Sequence, residues 1–440
     1  MIGPQDISSI KIHPLSLNST DRVLEDTIKE RIALIEGSPQ ILGSDDSFFI
    51  ADLAEVQRLY ATWKAHLPYV KPHYAVKCNP DPMLLRCLIQ LGIGFDCASI
   101  EEMQTVLNLC VAPNNIIFAN PCKSSSALVF ASNSGIRMTT FDNLDDLDAV
   151  KTYMPHAQLI LRIFANDDSA LSALGDKFGA HMESTPVLLE RAKELDLAIV
   201  GVSFHIGKFL HLYGRARNPD IMKKAITDAR LVWSAAEKLG FNMTVLDIGG
   251  GFHSSKVEFQ MMANAVNESF STASFPKHVT VVAEPGRFFA KTVYTLVCRV
   301  ISRRRRAGDL PCDEPEMLYQ NDGVFRNFMN ALFEGEIFTP AALVESSTTR
   351  HMQRQGGPHT YRIWGPTCDS SDCITRKMHF TCEVKVDDWL IYRNMGAYAS
   401  VTATRFNGFS SQTKTFYTFI ERNHDVVINA AGQKSSRIVV

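Results

Sequence analysis

The sequence predicts an α/β protein in which a (β/α)8 barrel is followed by a β domain. The first observation is a set of eight short apolar runs, rich in β-branched and aromatic residues, each followed by a stretch with helical spacing. The second is their number, because eight alternating units are typical of a closed barrel. The third is that the alternation stops after residue 290, where strand-like runs follow one another. A doubly wound sheet has the same alternation, but the count of eight favours the barrel.

The predicted elements follow in order along the chain. Residues 1–52 are expected to join the β domain, since the stretch 47–53 has the pattern of a strand that leads into the barrel. The barrel is predicted over 53–290 and the C-terminal β domain over 291–440. Barrel strands are predicted at 73–79, 94–99, 116–120, 137–143, 159–164, 199–207, 244–251 and 279–286. Helices are predicted at 82–92, 99–110, 185–195 and 221–240, the second of them with a capping box formed by Ser99 and Glu102.

The composition excludes several classes of function. Lys and Arg total 45 against 47 Asp and Glu, a net charge of −2, whereas nucleic-acid binding needs a basic excess. The sequence contains neither an apolar run of about 20 residues nor the basic and apolar regions of a secretory signal. None of the ten cysteines forms a C-x-x-C pair, so no metal site is predicted and the thiols are expected to be reduced. We therefore expect a cytoplasmic protein that binds neither nucleic acid nor membranes.

The predicted strands end in polar or glycine residues, and a barrel places its active site at these ends. Any one of these residues alone is more often an ordinary loop residue, but their regular recurrence favours a shared site. The residues are Lys77, Asp96, Asn120, Asp142, Arg162, His205, Gly249, Gly250, Gly251, Glu284 and Arg287.

The chemistry of this set points to pyridoxal 5'-phosphate. Lys77 ends an apolar strand, and burial lowers the pKa of a lysine, which makes a nucleophilic amine available for a Schiff base. Three consecutive glycines, 249–251, expose backbone N–H groups that suit a phosphate, although a tight turn explains them equally well. Arg287 is a second phosphate ligand, and Glu284 is suited to a protonated ring nitrogen. His205 is suited to stack on the ring, although a lone histidine is as often structural.

These residues lie in motifs that resemble eukaryotic ornithine decarboxylase. The motifs are YAVKCNP (74–80), FDCAS (95–99), KFGA (177–180), SFHIG (203–207), DIGGGF (247–252), AEPGR (283–287), NDGVF (321–325), GPTCD (365–369) and GAY (396–398). They occur in the same order over about residues 45 to 420. The resemblance implies a pyridoxal-phosphate-dependent decarboxylase with an alanine-racemase-like barrel, a β domain and a head-to-tail homodimer with shared active sites.

The resemblance also implies a role for individual residues. Lys77 would carry the cofactor as a Schiff base, with Asp96 and Arg162 as supporting charges. His205 would stack on the pyridine ring and Glu284 would bind its nitrogen. Cys368 and Asp369 would reach the partner's site, with Cys368 reprotonating the product carbon, and Lys177 with Asp372 would form an interface ion pair. The phosphate would be held by Gly249, Gly250, Gly251, Arg287 and Tyr398.

The sequence departs from the family at the substrate and phosphate positions. Lys208 stands where the family has a phosphate-binding serine, and Phe209 replaces a glycine. Glu334 replaces the aspartate at the distal end of the ornithine pocket, which extends the carboxylate by about 1.5 Å. Phe325 and Phe333 each replace a tyrosine. Lys208 would either strengthen the phosphate site or meet a negative group that ornithine lacks.

Three hypotheses follow for the function. The favoured one is a related enzyme that decarboxylates a larger or additionally charged amino acid, as in fungal alkaloid pathways such as that of the lolines. The alternative is an authentic ornithine decarboxylase that makes putrescine for polyamine synthesis. The third is a non-catalytic regulator similar to antizyme inhibitors, which the retained cofactor residues disfavour.

Overall fold

The computed structural model describes residues 19–37, 46–165, 177–206, 219–305, 314–343 and 356–420. Helix α1 (Ser19–Glu36) and strand β1 (Phe48–Asp52) come first. In those described ranges, no helix has both the length and the apolar content needed to cross a membrane.

Eight parallel strands form a closed barrel, which confirms the predicted fold. Each strand pairs with the next, and the last pairs with the first, so the sheet has no open edge. An open, doubly wound sheet is therefore excluded. The strands are β2 (Val70–Ala75), β3 (Gly94–Cys97), β4 (Ile116–Phe118), β5 (Met138–Phe141), β6 (Gln158–Ile163), β7 (Ala198–Phe204), β8 (Val245–Asp247) and β9 (Thr280–Ala283).

The helices outside the barrel begin where the sequence provides caps. α2 precedes β2, and one helix follows each barrel strand. Five of them, α2 to α6, begin at the side chains of Asp52, Asp81, Ser99, Ser124 and Asn143, which accept backbone N–H groups of the first turn. The helices are α2 (Leu53–His66), α3 (Pro82–Gln90), α4 (Ile100–Asn108), α5 (Ser125–Asn133), α6 (Leu144–Tyr153), α7 (Thr185–Glu194), α8 (Pro219–Lys238), α9 (Lys256–Ala273) and α10 (Arg287–Ala290).

A second, mixed sheet follows the barrel. Strand β10 (Tyr294–Arg304) is its longest member; it pairs with β1 near its start and with β11 near its end. β1 also pairs in parallel with the last strand, so both ends of the described chain meet in this sheet. The remaining elements are β11 (Glu316–Gln320), α11 (Asn330–Phe333), β12 (Ala341–Leu343), β13 (Gly356–Trp364), β14 (Cys373–Cys382), β15 (Trp389–Tyr392) and β16 (Lys414–Thr418).

The register of the barrel strands decides which side chains point inward. Neighbouring parallel strands are about 4.8 Å apart, so residues paired in register face the same side. Ala75 pairs with Asp96, and Ser203 pairs with Asp247. Apolar residues fill the barrel interior below the polar strand ends, among them Ile117, Ile160 and Val282. The interior is therefore packed, and the polar side chains collect at the carboxyl ends of the strands.

Candidate active site

The amine of Lys77 lies at the carboxyl end of the barrel, in the short turn Val76–Cys78 that follows β2. Its Nζ donates a hydrogen bond to Oδ2 of Asp96 on the neighbouring strand β3, at 2.5 Å. Asp96 is fully buried, whereas 39% of the Lys77 side chain is exposed. A ligand at the barrel mouth can therefore reach the lysine, while the carboxylate supports it from below.

The pairing changes the expected ionisation of Lys77. Burial lowers the pKa of the amine, but the carboxylates of Asp96 and Glu284 outweigh burial and raise this pKa above its ordinary value. Burial in turn raises the pKa of Asp96, to about 7, against the attraction of Lys77. The predicted lowering of the lysine pKa is therefore wrong, because an opposite charge lies at hydrogen-bond distance.

Glu284 and His205 follow β9 and β7, and the structure brings them together. Nδ1 of His205 is 3.3 Å from Oε2 of Glu284. Burial raises the pKa of Glu284, but His205, Lys77 and Arg162 outweigh burial and lower this pKa below its ordinary value. Burial lowers the pKa of His205, and the charge of Arg162, on β6, acts in the same direction. Five of the predicted site residues therefore interact electrostatically: Lys77, Asp96, Arg162, His205 and Glu284.

Asp247, the last residue of β8, belongs to the same group and was not singled out from the sequence. Its Oδ1 accepts the N–H of Gly249 at 2.9 Å. Its Oδ2 has no hydrogen-bond donor among the described atoms. Burial and the charge of Glu284 raise the pKa of Asp247 well above its ordinary value. Its place in the DIGGGF motif, directly before the glycines, was the available signal.

The three glycines after β8 have different surroundings. A Cβ on Gly249 would lie 2.1 Å from the carbonyl oxygen of Phe204, and one on Gly250 would lie 2.5 Å from Cε1 of His205. The N–H groups of Gly249 and Gly250 are donated to Asp247 and His205. Among the described atoms, the nearest neighbour of a Cβ on Gly251 would be the carbonyl oxygen of Ile206, at 3.7 Å. Of the three backbone N–H groups expected to bind the phosphate, those of Gly249 and Gly250 already have acceptors, and that of Gly251 stays the candidate.

Arg287 and Tyr398, two further predicted phosphate residues, are adjacent. The Arg287 guanidinium lies 4.6 Å from the centre of the Tyr398 ring. The N–H of Tyr398 donates to the carbonyl of Cys78 at 2.9 Å, which holds this segment beside the Lys77 turn. Nη2 of Arg287 also contacts both carboxylate oxygens of Glu334, at 2.7 and 3.0 Å. Arg287, which was predicted to bind the phosphate, thus forms an ion pair with Glu334, which was predicted to bind the substrate.

The other positions predicted to shape the substrate pocket differ in their placement. Phe325 stacks on Phe406, with ring centres 4.4 Å apart. Phe333 ends α11 and is 78% exposed. Lys208 and Phe209 lie outside the described residues. Phe325 and Phe333 therefore have different surroundings, one packed against an aromatic ring and the other largely exposed.

Cys368 and Asp369 lie on the exposed loop between β13 and β14. The N–H of Cys368 donates to Oδ1 of Asn407 at 2.9 Å, and Oδ1 of Asp369 accepts from Ser371. No hydrogen bond or ion pair of the described residues joins this loop to Lys77.

Asp372 lies on the same loop and is directed into its own chain. It is 1% exposed, and its carboxylate accepts from the backbone N–H groups of Val324 and Thr367 and from the Thr367 hydroxyl. Lys177 is exposed. The Asp372 carboxylate is thus bound by donors of its own chain, and its expected interface ion pair with Lys177 stays a prediction.

The described groups fit pyridoxal phosphate. Lys77 provides an accessible amine for an aldehyde, and Glu284 is an ionised carboxylate suited to a protonated ring nitrogen. Gly251 leaves space for a phosphate next to a backbone N–H. The buried Oδ1 of Asp96 accepts no hydrogen bond from the described atoms. The site therefore contains an acceptor that a bound group can satisfy.

Comparisons with known proteins agree with this chemistry. Residues 53–291 match the family described as pyridoxal-dependent decarboxylase, pyridoxal binding domain. The chain is 39% identical to the ornithine decarboxylase of Neurospora crassa, over 91% of this chain and 86% of that protein. It is 37% identical to the amino acid decarboxylase lolD1 of Epichloe uncinata, over 90% of this chain and 94% of that protein.

Solved structures of similar enzymes share the whole fold. The crystal structure of the arginine decarboxylase of Paramecium bursaria Chlorella virus matches with a TM-score of 0.79 and 33% identity. The match covers 89% of this chain and all of that one (100%). The chain therefore belongs to the pyridoxal-phosphate-dependent decarboxylase family that includes the eukaryotic ornithine decarboxylases, and it is an amino acid decarboxylase.

Proposed function

We propose that this enzyme decarboxylates a basic or amino-substituted L-amino acid that is larger than ornithine or carries an additional charge. The product would be the corresponding amine, with carbon dioxide released. The single observation that carries the proposal is the contact between Arg287 and Glu334.

That contact changes what the pocket offers to a substrate. Both oxygens of Glu334 lie within 3.0 Å of a guanidinium nitrogen. A carboxylate whose charge is shared with a cation attracts the terminal ammonium of ornithine less strongly. A second carboxylate on the substrate would instead be matched by Lys208, the additional cation that the sequence provides.

The alternative is an authentic ornithine decarboxylase that makes putrescine. Cys368 and Asp369, which the resemblance assigns to decarboxylation of ornithine, are both present. The identities to an ornithine decarboxylase and to lolD1 are nearly equal, so they do not separate the two substrates. The non-catalytic hypothesis is not retained, since the chain is an enzyme of this family.

The roles proposed for individual residues follow from the site geometry. Bound pyridoxal phosphate supplies a protonated ring that accepts the electrons of the bond between Cα and the carboxylate. Lys77 would bind the cofactor aldehyde, and Asp96 would orient the amine. Glu284 would hold the proton on the ring nitrogen, and His205 would cover one face of the ring. Arg287, Gly251 and Tyr398 would hold the phosphate.

We also propose a homodimer with shared sites. Cys368 is exposed and is not bonded to Lys77 in the described part of its own chain, which agrees with a role in the partner's site. There its thiol would deliver a proton to the product carbon. The cytoplasmic location and the boundaries 1–52, 53–290 and 291–440 remain predictions.

The proposal is tested by carbon dioxide release from ornithine, lysine, arginine and N-carboxyalkyl diamino acids. We expect at least one carboxylated substrate to exceed ornithine by about tenfold in kcat/KM, which corresponds to about 1.4 kcal/mol. The variant Glu334→Asp should shift the preference toward ornithine, because the shorter carboxylate is drawn back from Arg287.

The neighbouring Glu336→Asp is the matched control. Glu336 pairs with Lys291 at 2.8 Å, and its shortening should leave the order of substrates unchanged. If wild-type enzyme prefers ornithine over every other substrate tested, the altered-pocket proposal is wrong and the alternative stands.

A further inference from the structure

The His205 imidazole packs against the turn formed by Gly249 and Gly250. The Gly250 N–H donates a hydrogen bond to Nδ1 of His205 at 2.9 Å. A nitrogen that accepts an N–H in the ring plane must present its lone pair, so it carries no proton. The proton of the neutral ring then lies on Nε2.

Glu284 competes for the same nitrogen. Its Oε2 is 3.3 Å from Nδ1, and a carboxylate at this place would favour a proton on Nδ1. One imidazole nitrogen cannot accept from Gly250 and donate to Glu284 simultaneously. The shorter contact is the one to the backbone N–H, so the geometry favours an unprotonated Nδ1.

The backbone of the turn is held in place from both sides. Oδ1 of Asp247 accepts the Gly249 N–H at 2.9 Å, and the carbonyl of Gly249 accepts the Glu284 N–H at 2.7 Å. The ring itself fills the space beside the glycines, since a Cβ on Gly250 would lie 2.5 Å from its Cε1. The Gly250 N–H therefore cannot turn away from His205 without breaking these contacts.

We propose that Asp247 and the Gly249–Gly250 turn form a positioning device that keeps His205 neutral, with its proton on Nε2 and its ring in one orientation. The consequence for the site is electrostatic. A neutral imidazole does not compete for the negative charge of Glu284, which stays available to the cofactor ring nitrogen. Burial lowers the pKa of His205, and the charges of Arg162 and Lys77 act in the same direction, whereas Glu284 raises it.

This inference rests on the proposed placement of His205 and Glu284 around the cofactor, but not on the identity of the substrate. Its first test is a long-range ¹H–¹⁵N correlation spectrum of the holoenzyme labelled with [¹⁵N]histidine, with the His205 signals assigned by their loss in His205→Asn. We expect an unprotonated Nδ1 and a protonated Nε2 at neutral pH. A proton on Nδ1, alone or on a doubly protonated ring, would overturn the proposal.

Two substitutions of Asp247 test its part in the device. Asp247→Ala removes the acceptor for the Gly249 N–H, and we expect a mixture of His205 tautomers with a tenfold or greater loss of kcat at little change in KM. Asp247→Asn keeps a carbonyl oxygen at the Oδ1 position and should restore both the single tautomer and most of the lost kcat.

The two variants also separate the possible failures. If Asp247→Ala leaves the tautomer of His205 unchanged, the positioning role of Asp247 is wrong. If Asp247→Asn behaves like Asp247→Ala, the acid function of Asp247 matters instead of its Oδ1 acceptor, which also contradicts the proposal. If Asp247→Ala does not fold, the spectrum of the wild-type holoenzyme and that of Asp247→Asn still decide the question. A changed substrate preference with an intact tautomer would affect only the proposed function.

Discussion

The three carboxyl groups at the barrel mouth have the same chemistry but different ionisation, because their neighbours differ. Contacts with His205, Lys77 and Arg162 lower the pKa of Glu284 against burial, whereas burial and the charge of Glu284 raise the pKa of Asp247 well above its ordinary value. Burial raises the pKa of Asp96 to about 7, and the ion pair with Lys77 opposes that rise. The surroundings of these carboxyl groups therefore drive their pKa values in opposite directions.

His73, on β2, is a further titratable group inside the barrel, below the active site. It is buried, it lies beside Gly94 on the next strand, and burial lowers its pKa to about 4. The folded state therefore favours the neutral ring. The stability that the neutral His73 ring contributes is fully present above the unfolded pKa of 6.5. It is lost as the pH falls from 6.5 toward 4.

We predict that His73→Phe flattens the acid dependence of stability. A shift of this size corresponds to about 3 kcal/mol in the free energy of unfolding. Urea unfolding of wild type and variant between neutral pH and pH of about 4 measures the difference. The exposed His156→Gln is the control and should retain the wild-type slope. Equal slopes for His73→Phe and wild type would contradict the buried neutral state of His73.

At the scale of elements, the cap of α4 connects the strand that carries Asp96 to its helix. The Ser99 hydroxyl accepts the Glu102 N–H at 3.2 Å, and Oε2 of Glu102 accepts the Ala98 N–H at 2.6 Å. The bond from Glu102 to Ser99 confirms the Ser99 half of the predicted capping box, but the Glu102 carboxylate accepts from Ala98, one residue before the N-cap, instead of from Ser99. The two bonds hold the turn between β3 and α4, directly after Asp96.

We predict that Ser99→Ala lowers the free energy of unfolding by about 1 kcal/mol, because one N–H of the first helical turn loses its acceptor. Denaturant unfolding measures the change. Ser132→Ala is the matched control, since Ser132 is exposed inside α5 and caps no helix. A loss as large in Ser132→Ala as in Ser99→Ala would show that the cap is not the cause.

At the scale of the whole molecule, the two ends of the described chain are joined next to the barrel. β1 pairs with both β10 and β16, and Asp52 at its end accepts the N–H of Ile420 at 3.0 Å. Arg58 on α2 donates to the Ile420 carbonyl and pairs with Asp52. The second sheet is therefore anchored to the first barrel helix through a buried carboxylate.

The proposed shared sites lead to a prediction for the dimer. Lys77→Ala and Cys368→Ala should each lose activity as pure proteins. Mixed under conditions that allow subunit exchange, they should recover about a quarter of wild-type carbon dioxide release, because half of the dimers are mixed and each of these has one intact site. Cys122→Ala, at an exposed cysteine on the barrel, should remain fully active. No recovery in the mixture would count against shared sites.

The sequence by itself determined the barrel and most of the cofactor residues. Strand and helix periodicities are local, and so the positions of Lys77, Asp96, His205 and Glu284 at strand ends were readable from short segments. The family motifs then supplied the chemistry of the site. The N-cap at Ser99 was also readable, because both partners lie within one helical turn.

Only the tertiary structure decided how these residues act on one another. The Gly250 N–H meets His205 across 45 residues of the chain, and Glu334 meets Arg287 across 47 residues. The rise in the pKa of Lys77 depends on Asp96, a residue of another strand. Hydrogen bonds and charge interactions depend on distances of a few ångströms. Those distances are set by strand register and loop packing, which sequence periodicity does not contain.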